Sequence, residues 1–145
     1  MSTEQNKAIV RERVNGEMIS QNRLDLIDEL FAPDFVDHSA VPGLPADREG
    51  VRMFFGAMHA AFSGLHVTVE DQIAEGDRVV TRKVFHGAHT GDFFGIPATG
   101  RTIAFEVIDI LRLRDGLVTD HWNVVDQLGL LRQLGAIPEA QPVTA

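Results

Sequence analysis

Hydrophobic residues recur at helical spacing in three segments within the first 62 residues of the chain. Val10, Val14 and Met18 are spaced four apart, and they follow Ser2 and Gln5, which have the spacing of a capping box. This pattern predicts an amphipathic first helix.

Two further helices are indicated before the strands begin. Asn22 is predicted to cap a short second helix that Pro33 ends, and the segment from Asp34 to His38 is expected to be extended. Asp47 is predicted to cap a third helix, which ends at Gly64. The apolar face of this third helix contains Val51, Phe54, Phe55, Met58 and Phe62.

At Leu65 the hydrophobic period changes to two, which indicates strands. Gly87 to Gly100 holds four glycines and a proline and is expected to be a long loop. Asp115-Gly116 is a strong two-residue hairpin turn, and Asp126 is predicted to cap a last short helix. The strands are predicted to begin at Leu65 and then to span Arg78 to Phe85, Arg101 to Leu113 and Leu117 to Val125.

The order of helices first and strands afterwards predicts an α+β fold. We expect one domain over residues 1–138, with a strongly curved antiparallel sheet and the helices packed across its concave face. Residues 139–145 are expected to form a disordered tail.

The composition is that of a folded domain without nucleic acid or membrane partners. Apolar residues make up 44% of the 145 residues and charged residues 23%. The net charge of −8 repels phosphate backbones and anionic lipid headgroups. There is no cysteine, no apolar signal segment at the N-terminus and no long apolar run, so we expect a cytoplasmic protein.

The hairpin around Asp115-Gly116 predicts a candidate site. If Arg114 pairs with Leu117 in a regular ladder, Asp120 lies opposite Leu111 and Trp122 lies opposite Asp109. One face of the hairpin would then be apolar except for two carboxylates. That face would contain Val107, Asp109, Leu111, Val118, Asp120, Trp122 and Val124.

Carboxylates on an apolar wall are candidates for acid–base chemistry, because apolar surroundings raise the pKa of a carboxyl group towards neutral pH. Asp109 and Asp120 are therefore the predicted catalytic groups. The alternative is structural: either one caps a backbone group or pairs with Arg82 or Arg112. His38 could bond a carboxylate or a substrate oxygen, or it could be structural.

Other motifs point away from metals and nucleotides. His86 and His89 are three residues apart, but the segment is not helical and lacks a third ligand at a familiar spacing. The fingerprints of dinucleotide, P-loop and serine-hydrolase sites are absent from the sequence. We therefore expect no metal at these histidines and no dinucleotide, P-loop nucleotide or serine-hydrolase site.

Several segments in order resemble the SnoaL-like polyketide cyclase family. They are Phe35 to His38, His89-Thr90-Gly91, Gly95 to Arg101, Ile108-Asp109-Ile110 before Asp115-Gly116, and Asp120-His121-Trp122 with Asp126. The resemblance covers the chain from about Lys7 to Pro138.

The resemblance implies an NTF2-like, cone-shaped α+β barrel around a pocket. It also implies cofactor-independent, intramolecular aldol cyclisation of an aromatic polyketide ester, with Asp120 as the acid/base. Either Asp109 or Glu106 matches a second, substrate-binding position, and Asp109 is favoured because it shares the predicted face of Asp120. In the mechanism expected on this basis, protonated Asp120 or His38 would return a proton to the new alkoxide. The substrate-binding residues expected on this basis are His89, Trp122, Phe35, Phe54, Met58 and Arg82.

Two alternatives to the cyclase remain open, because one fold serves many reactions. The first is another small-molecule enzyme: an isomerase, dehydratase, hydrolase or hydroxylase-like protein. The second is a non-catalytic ligand-binding or dimerisation module. We expect a small hydrophobic, polyketide-like substrate and a homodimer or homotetramer, since the outer sheet face bears Ile108 and Ile110.

Overall fold

The computed structural model describes residues 1–138; the predicted disordered tail, residues 139–145, lies outside the described residues. The helices are α1 (Thr3–Ala8, continuing with wider, π-type turns over Ile9–Ser20), α2 (Ile27–Leu30, preceded by a 3₁₀ turn over Leu24–Leu26), α3 (Arg48–Ala61) and α4 (Gln127–Gln133). The strands are β1 (Phe31–Asp37), β2 (Phe62–Glu75), β3 (Arg78–His89), β4 (Thr102–Arg114) and β5 (Leu117–Val125).

The five strands form one sheet in the order β1-β5-β4-β3-β2. Neighbours from β2 to β5 are antiparallel, whereas β1 pairs with β5 in parallel. The predicted antiparallel sheet is therefore present from β2 to β5, and the edge strand β1 is an exception to it. The reason is the long connection through α3 and three strands, which brings β5 back beside β1 in the same direction.

Most of the capping residues predicted from the sequence are found at helix N-termini in the structure. The Ser2 hydroxyl accepts from the Gln5 backbone N–H at 3.1 Å, and the Gln5 side chain accepts from the Ser2 N–H at 2.9 Å. Asp47 and Asp126 cap α3 and α4 through their carboxylates. Asn22 is not a cap: it has a φ of 54° and forms the turn that ends α1.

The core lies between the helices and one face of the sheet. Val10, Val14 and Met18 of α1 are buried there, as predicted from their spacing. The sheet contributes inward-facing side chains at alternate positions, among them Val79, Phe85, Phe105, Val107 and Leu111. No helix within residues 1–138 has the length and apolar character needed to cross a membrane.

A single extra residue in β5 changes the predicted register of the hairpin. Arg114 pairs with Leu117 and Leu113 with Val118, but Arg112 then pairs with Asp120. Thr119 is thus a β-bulge, and its hydroxyl donates to the Asp120 carboxylate at 2.7 Å.

Beyond the bulge every side chain of β5 faces the opposite way from the prediction. His121 lies opposite Leu111 and Asn123 opposite Asp109. His121 and Asn123 therefore face the helices, while Asp120 and Trp122 lie on the outer face of the sheet. The predicted placement of these last two residues is wrong, because one inserted residue reverses a pattern of period two.

Candidate active site

A cavity of about 640 Å³ lies between the helices and the inner face of the sheet. Most of its wall is apolar, supplied by α1, α3, β1 and the central strands. Seven side chains with polar ends reach this wall: Asp37, Ser39, Lys83, Asp109, His121, Asn123 and Gln127. A cavity of this size and composition suits a mainly apolar small molecule held by a few polar contacts.

Four of the predicted site residues lie in the wall of this cavity. Phe35 comes from β1, Phe54 and Met58 come from α3, and Asp109 comes from β4. The aromatic face of α3 therefore forms one side of the cavity, as well as part of the core.

Asp37 and His121 form a hydrogen-bonded pair at the cavity wall. They are register partners in β1 and β5, and His121 Nδ1 lies 2.8 Å from Asp37 Oδ1. The same oxygen accepts from the Ser39 backbone N–H at 2.9 Å. Because an ionised carboxylate only accepts, the pair places the proton of neutral His121 on Nδ1. His121 Nε2 then carries the lone pair of the ring.

Lys83 and Asp109 form a second pair, which is buried. Lys83 Nζ lies 2.8 Å from Asp109 Oδ2, and the two residues are 4% and 3% exposed. Lys83 also donates to the Asn15 side chain at 2.8 Å, and Asn15 donates to the Val10 carbonyl. Charge and hydrogen bonds thus satisfy Lys83 despite its burial.

The two pairs approach each other across the cavity wall. His121 Nε2 is 3.9 Å from Asp109 Oδ2, beyond hydrogen-bond distance but close enough for attraction if the ring becomes charged. A histidine held by one carboxylate and facing a second one is suited to accept a proton from a bound molecule and return it.

Asp120 belongs to a different cluster, on the outer face of the sheet. It pairs with His38 at 2.9 Å, and the His38 ring stacks on Trp122 at 4.6 Å. The hydrogen bond from His38 holds the pKa of Asp120 below its usual range, with a smaller contribution from Thr119. The expectation of a raised pKa at Asp120 is therefore wrong, because the side chain is not on the apolar wall.

The remaining predicted site residues also lie outside the cavity wall. Arg82 is exposed on the outer face of β3. His89 is fully buried and accepts from the Thr99 N–H at 3.2 Å, which anchors the glycine-rich loop. His86 bonds Thr68 at 3.0 Å on β2, so the two histidines do not share a site.

Sequence reasoning missed Asp37, Lys83 and His121. One signal was available for Lys83, since it alternates with Val79, Thr81 and Phe85, all buried in β3. For His121 the apolar pattern favoured the wrong face, because Trp122 and Val124 are apolar although Val124 is 78% exposed. Asp37 becomes recognisable only through its pairing with His121.

Comparison with known proteins agrees with this architecture. The model of the SnoaL-like polyketide cyclases matches residues 9–134. The chain belongs to this family. It is an enzyme of the polyketide cyclase type, with a SnoaL-like α+β fold, as the sequence resemblance implied.

Two cyclases and one solved structure are similar to this protein over most of its length. Nogalonic acid methyl ester cyclase of Streptomyces nogalater is 32% identical over 115 residues, which are 78% of this chain and 86% of the relative. Aklanonic acid methyl ester cyclase DnrD of Streptomyces peucetius is 30% identical over 123 residues, 82% of this chain and 84% of the relative. The structure of TsrD from Streptomyces laurentii has a TM-score of 0.84 at 29% identity, covering 94% of this chain and 99% of TsrD.

Proposed function

We propose that this SnoaL-like cyclase closes a ring in an aromatic polyketide ester by an intramolecular aldol reaction, with His121 as the acid/base. The observation that carries the proposal is the Asp37–His121 pair, 2.8 Å apart, at the wall of a largely apolar cavity. The relatives named as cyclases of nogalonic and aklanonic acid methyl esters support the substrate class.

The first step is removal of a proton from a carbon that lies between carbonyl groups of the substrate. His121 Nε2 accepts this proton, and the electron pair of the C–H bond becomes an enolate within the substrate. Asp37 acts as a positioning residue, because its hydrogen bond to Nδ1 orients the ring and stabilises the imidazolium that forms.

In the second step the enolate carbon attacks a ketone carbon of the same molecule. A C–C bond forms, the carbonyl π pair moves to oxygen, and the alkoxide takes the proton from His121 Nε2. Atoms and charges then balance, and the imidazole is regenerated. The cavity wall holds the substrate in a folded conformation, so that its two reacting carbons lie close together. This positioning supplies much of the rate enhancement.

The proposal departs from the sequence prediction in the identity of the base. The Asp120 and His38 side chains are 2.9 Å apart on the outer face, whereas His121 is the neighbour of Asp120 that reaches the cavity. Asp109, paired with Lys83, lies 3.9 Å from His121 Nε2 and favours the charged ring during the reaction.

Turnover of nogalonic acid methyl ester by the purified protein tests the proposal. General acid–base catalysis contributes about 10²- to 10⁴-fold, so His121→Gln should lower kcat by about that factor. Asp120→Asn should keep kcat within about threefold, because its side chain lies on the other face of the sheet.

Two results would contradict this assignment. The first is near-normal turnover by His121→Gln. The second is loss of turnover by a well-folded Asp120→Asn variant, which would return the acid/base role to Asp120. Circular dichroism and urea unfolding of both variants establish whether the fold is retained.

A further inference from the structure

A tight turn beside the cavity contains a phenylalanine in a backbone conformation that suits other residues better. Phe93 and Ile96 exchange two backbone hydrogen bonds of 2.9 Å, and the residues between them, Phe94 and Gly95, have φ angles of 43° and 87°. Positive φ at both central residues is typical of a type I′ turn, for which Asn-Gly, Asp-Gly and Gly-Gly are the preferred pairs. The backbone of Phe94 is therefore strained.

Packing within the protein does not explain a phenylalanine at this position. Phe93 and Ile96 are partly buried against the core, whereas Phe94 remains 55% exposed. The Phe94 ring meets the Phe93 ring edge-on, with 5.0 Å between the centroids. A residue that breaks a local rule without a matching gain in burial is typical of a functional position.

The location of Phe94 indicates what the side chain contacts. Some residues of the cavity wall are also exposed to solvent, and these mark the opening of the cavity: Pro42, Pro45, Phe94 and Gln127. Phe94 is the aromatic residue among these four. A molecule that fills the cavity as far as its opening therefore meets the Phe94 ring.

Hydrogen bonds hold the turn in place beside the cavity. The Gly91 backbone N–H donates to the carbonyl of Ala61, the last residue of α3, at 3.0 Å. Within the turn, the Asp92 carboxylate accepts from the Gly95 N–H at 3.0 Å. Because these bonds exist without a ligand, the Phe94 backbone is positioned in advance, which lowers the entropic cost of a contact with a bound molecule.

We propose that Phe94 binds the apolar part of the substrate at the cavity opening and is covered by it in the complex. The inference rests on the proposed function only in that it takes the ligand to be an aromatic ester. With 55% of its surface exposed, the Phe94 side chain offers roughly 100 Å² for contact. Burial of about half of that area raises the affinity by about tenfold. Ligand binding, and not the stability of the fold, then explains the strained residue.

Binding of an aromatic ester that cannot react tests this contact separately from catalysis. The probe is methyl anthracene-2-carboxylate, which has fused aromatic rings and no enolisable hydrogen, and its fluorescence measures the Kd. Phe94→Asn removes the ring and introduces the residue that a type I′ turn prefers. The Kd should therefore rise by about tenfold, while the midpoint of urea unfolding stays the same or rises.

Two further variants assign the effect to the apolar side chain of Phe94. Phe94→Leu keeps an apolar group on the strained backbone, so its Kd should stay within about threefold of the wild-type value. Asp115→Asn is the matched control, because Asp115 and Gly116 have φ angles of 52° and 80° in a second turn of this type, outside the cavity wall. That variant should leave the Kd unchanged.

A Kd for Phe94→Asn within about twofold of the wild-type value would overturn the proposal, as would failure of the wild-type protein to bind the probe at about 100 µM. A lower urea midpoint for Phe94→Asn would overturn it too, because the phenylalanine would then stabilise the fold. The probe does not react, so these results are independent of whether His121 is the base in turnover of nogalonic acid methyl ester.

Discussion

The buried Lys83–Asp109 pair allows a quantitative test of how polar groups are supported in this cavity. The perturbation is Lys83→Met, which keeps most of the side-chain volume but removes the charge. The Asp109 carboxylate, 3% exposed, then loses its ion-pair partner at Oδ2, while Oδ1 already has no hydrogen-bond partner among the described residues.

The expected loss of stability follows from the geometry of the pair. Two unit charges 2.8 Å apart attract by about 6 kcal/mol at an effective dielectric constant of about 20. Relaxation or protonation of the stranded carboxylate recovers part of this, so the measured cost of breaking a buried pair is about 3–5 kcal/mol. Asn15 also loses its contact with Lys83.

Equilibrium unfolding in urea measures the effect. With an m-value of about 2 kcal/mol per M, a loss of about 4 kcal/mol lowers the midpoint by about 2 M. Arg114→Met is the matched control, because Arg114 and Asp34 are also 2.8 Å apart but 57% and 65% exposed. Its midpoint should not change measurably, since exposed ion pairs contribute little.

A double variant separates the effect of leaving one charge unpaired from the effect of altered packing. Replacing Lys83 with Met and Asp109 with Leu removes both charges, so it should recover at least half of the loss caused by Lys83→Met. A midpoint shift of less than about 0.5 M for the single variant would refute the reasoning. So would a double variant that is less stable than Lys83→Met.

Three further predictions concern the loop, a helix cap and the outer face. Gly91→Ala should lower the free energy of unfolding in urea by about 1–3 kcal/mol, because the new Cβ would collide with the Ala60 carbonyl. Gly56→Ala is the control: its Cβ would point into open space in α3, so this variant should raise the free energy of unfolding by about 0.5–1 kcal/mol. Equal effects of the two variants would contradict this explanation. Asp126→Ala should cost about 1 kcal/mol by the same assay through loss of the α4 cap, and no change would argue against a capping role. The pKa of Asp120 is lowered in the folded state, so the ionised side chain stabilises the fold above about pH 4, and this stabilisation is lost as the pH falls further. In urea unfolding, the difference in stability between the wild-type protein and Asp120→Asn should therefore shrink below about pH 4. A difference that stays constant with pH would contradict the direction of the pKa shift.

Features that depend on a few neighbouring residues were predicted correctly from the sequence. The capping box of Ser2 and Gln5, the caps at Asp47 and Asp126, and the turn at 115–116 are all present. Each involves residues within about one turn of chain, so the same contacts are available whatever the rest of the protein does. The fold class followed from the order of these elements.

The face of β5 that meets the cavity was not predictable in this way. In a regular ladder, apolar Trp122 and Val124 would share the inner face with Asp120. In the structure Trp122 and Val124 lie on the outer face, and the polar residues His121 and Asn123 face the cavity. Binding sites place polar groups where apolar ones would stabilise the fold better, so a pattern of hydrophobic residues is least reliable at such a site.

The sequence by itself therefore determined the helices, the hairpin turns, the α+β class and the apolar cavity wall of Phe35, Phe54 and Met58. Only the tertiary structure decided that β1 lies parallel to β5, that Thr119 forms a bulge and that His121 meets Asp37. The physical reason is the range of the interactions. A cap or a tight turn is formed between near neighbours, whereas a strand's register depends on partners that are distant in the chain, and one extra residue reverses which side chains reach the cavity.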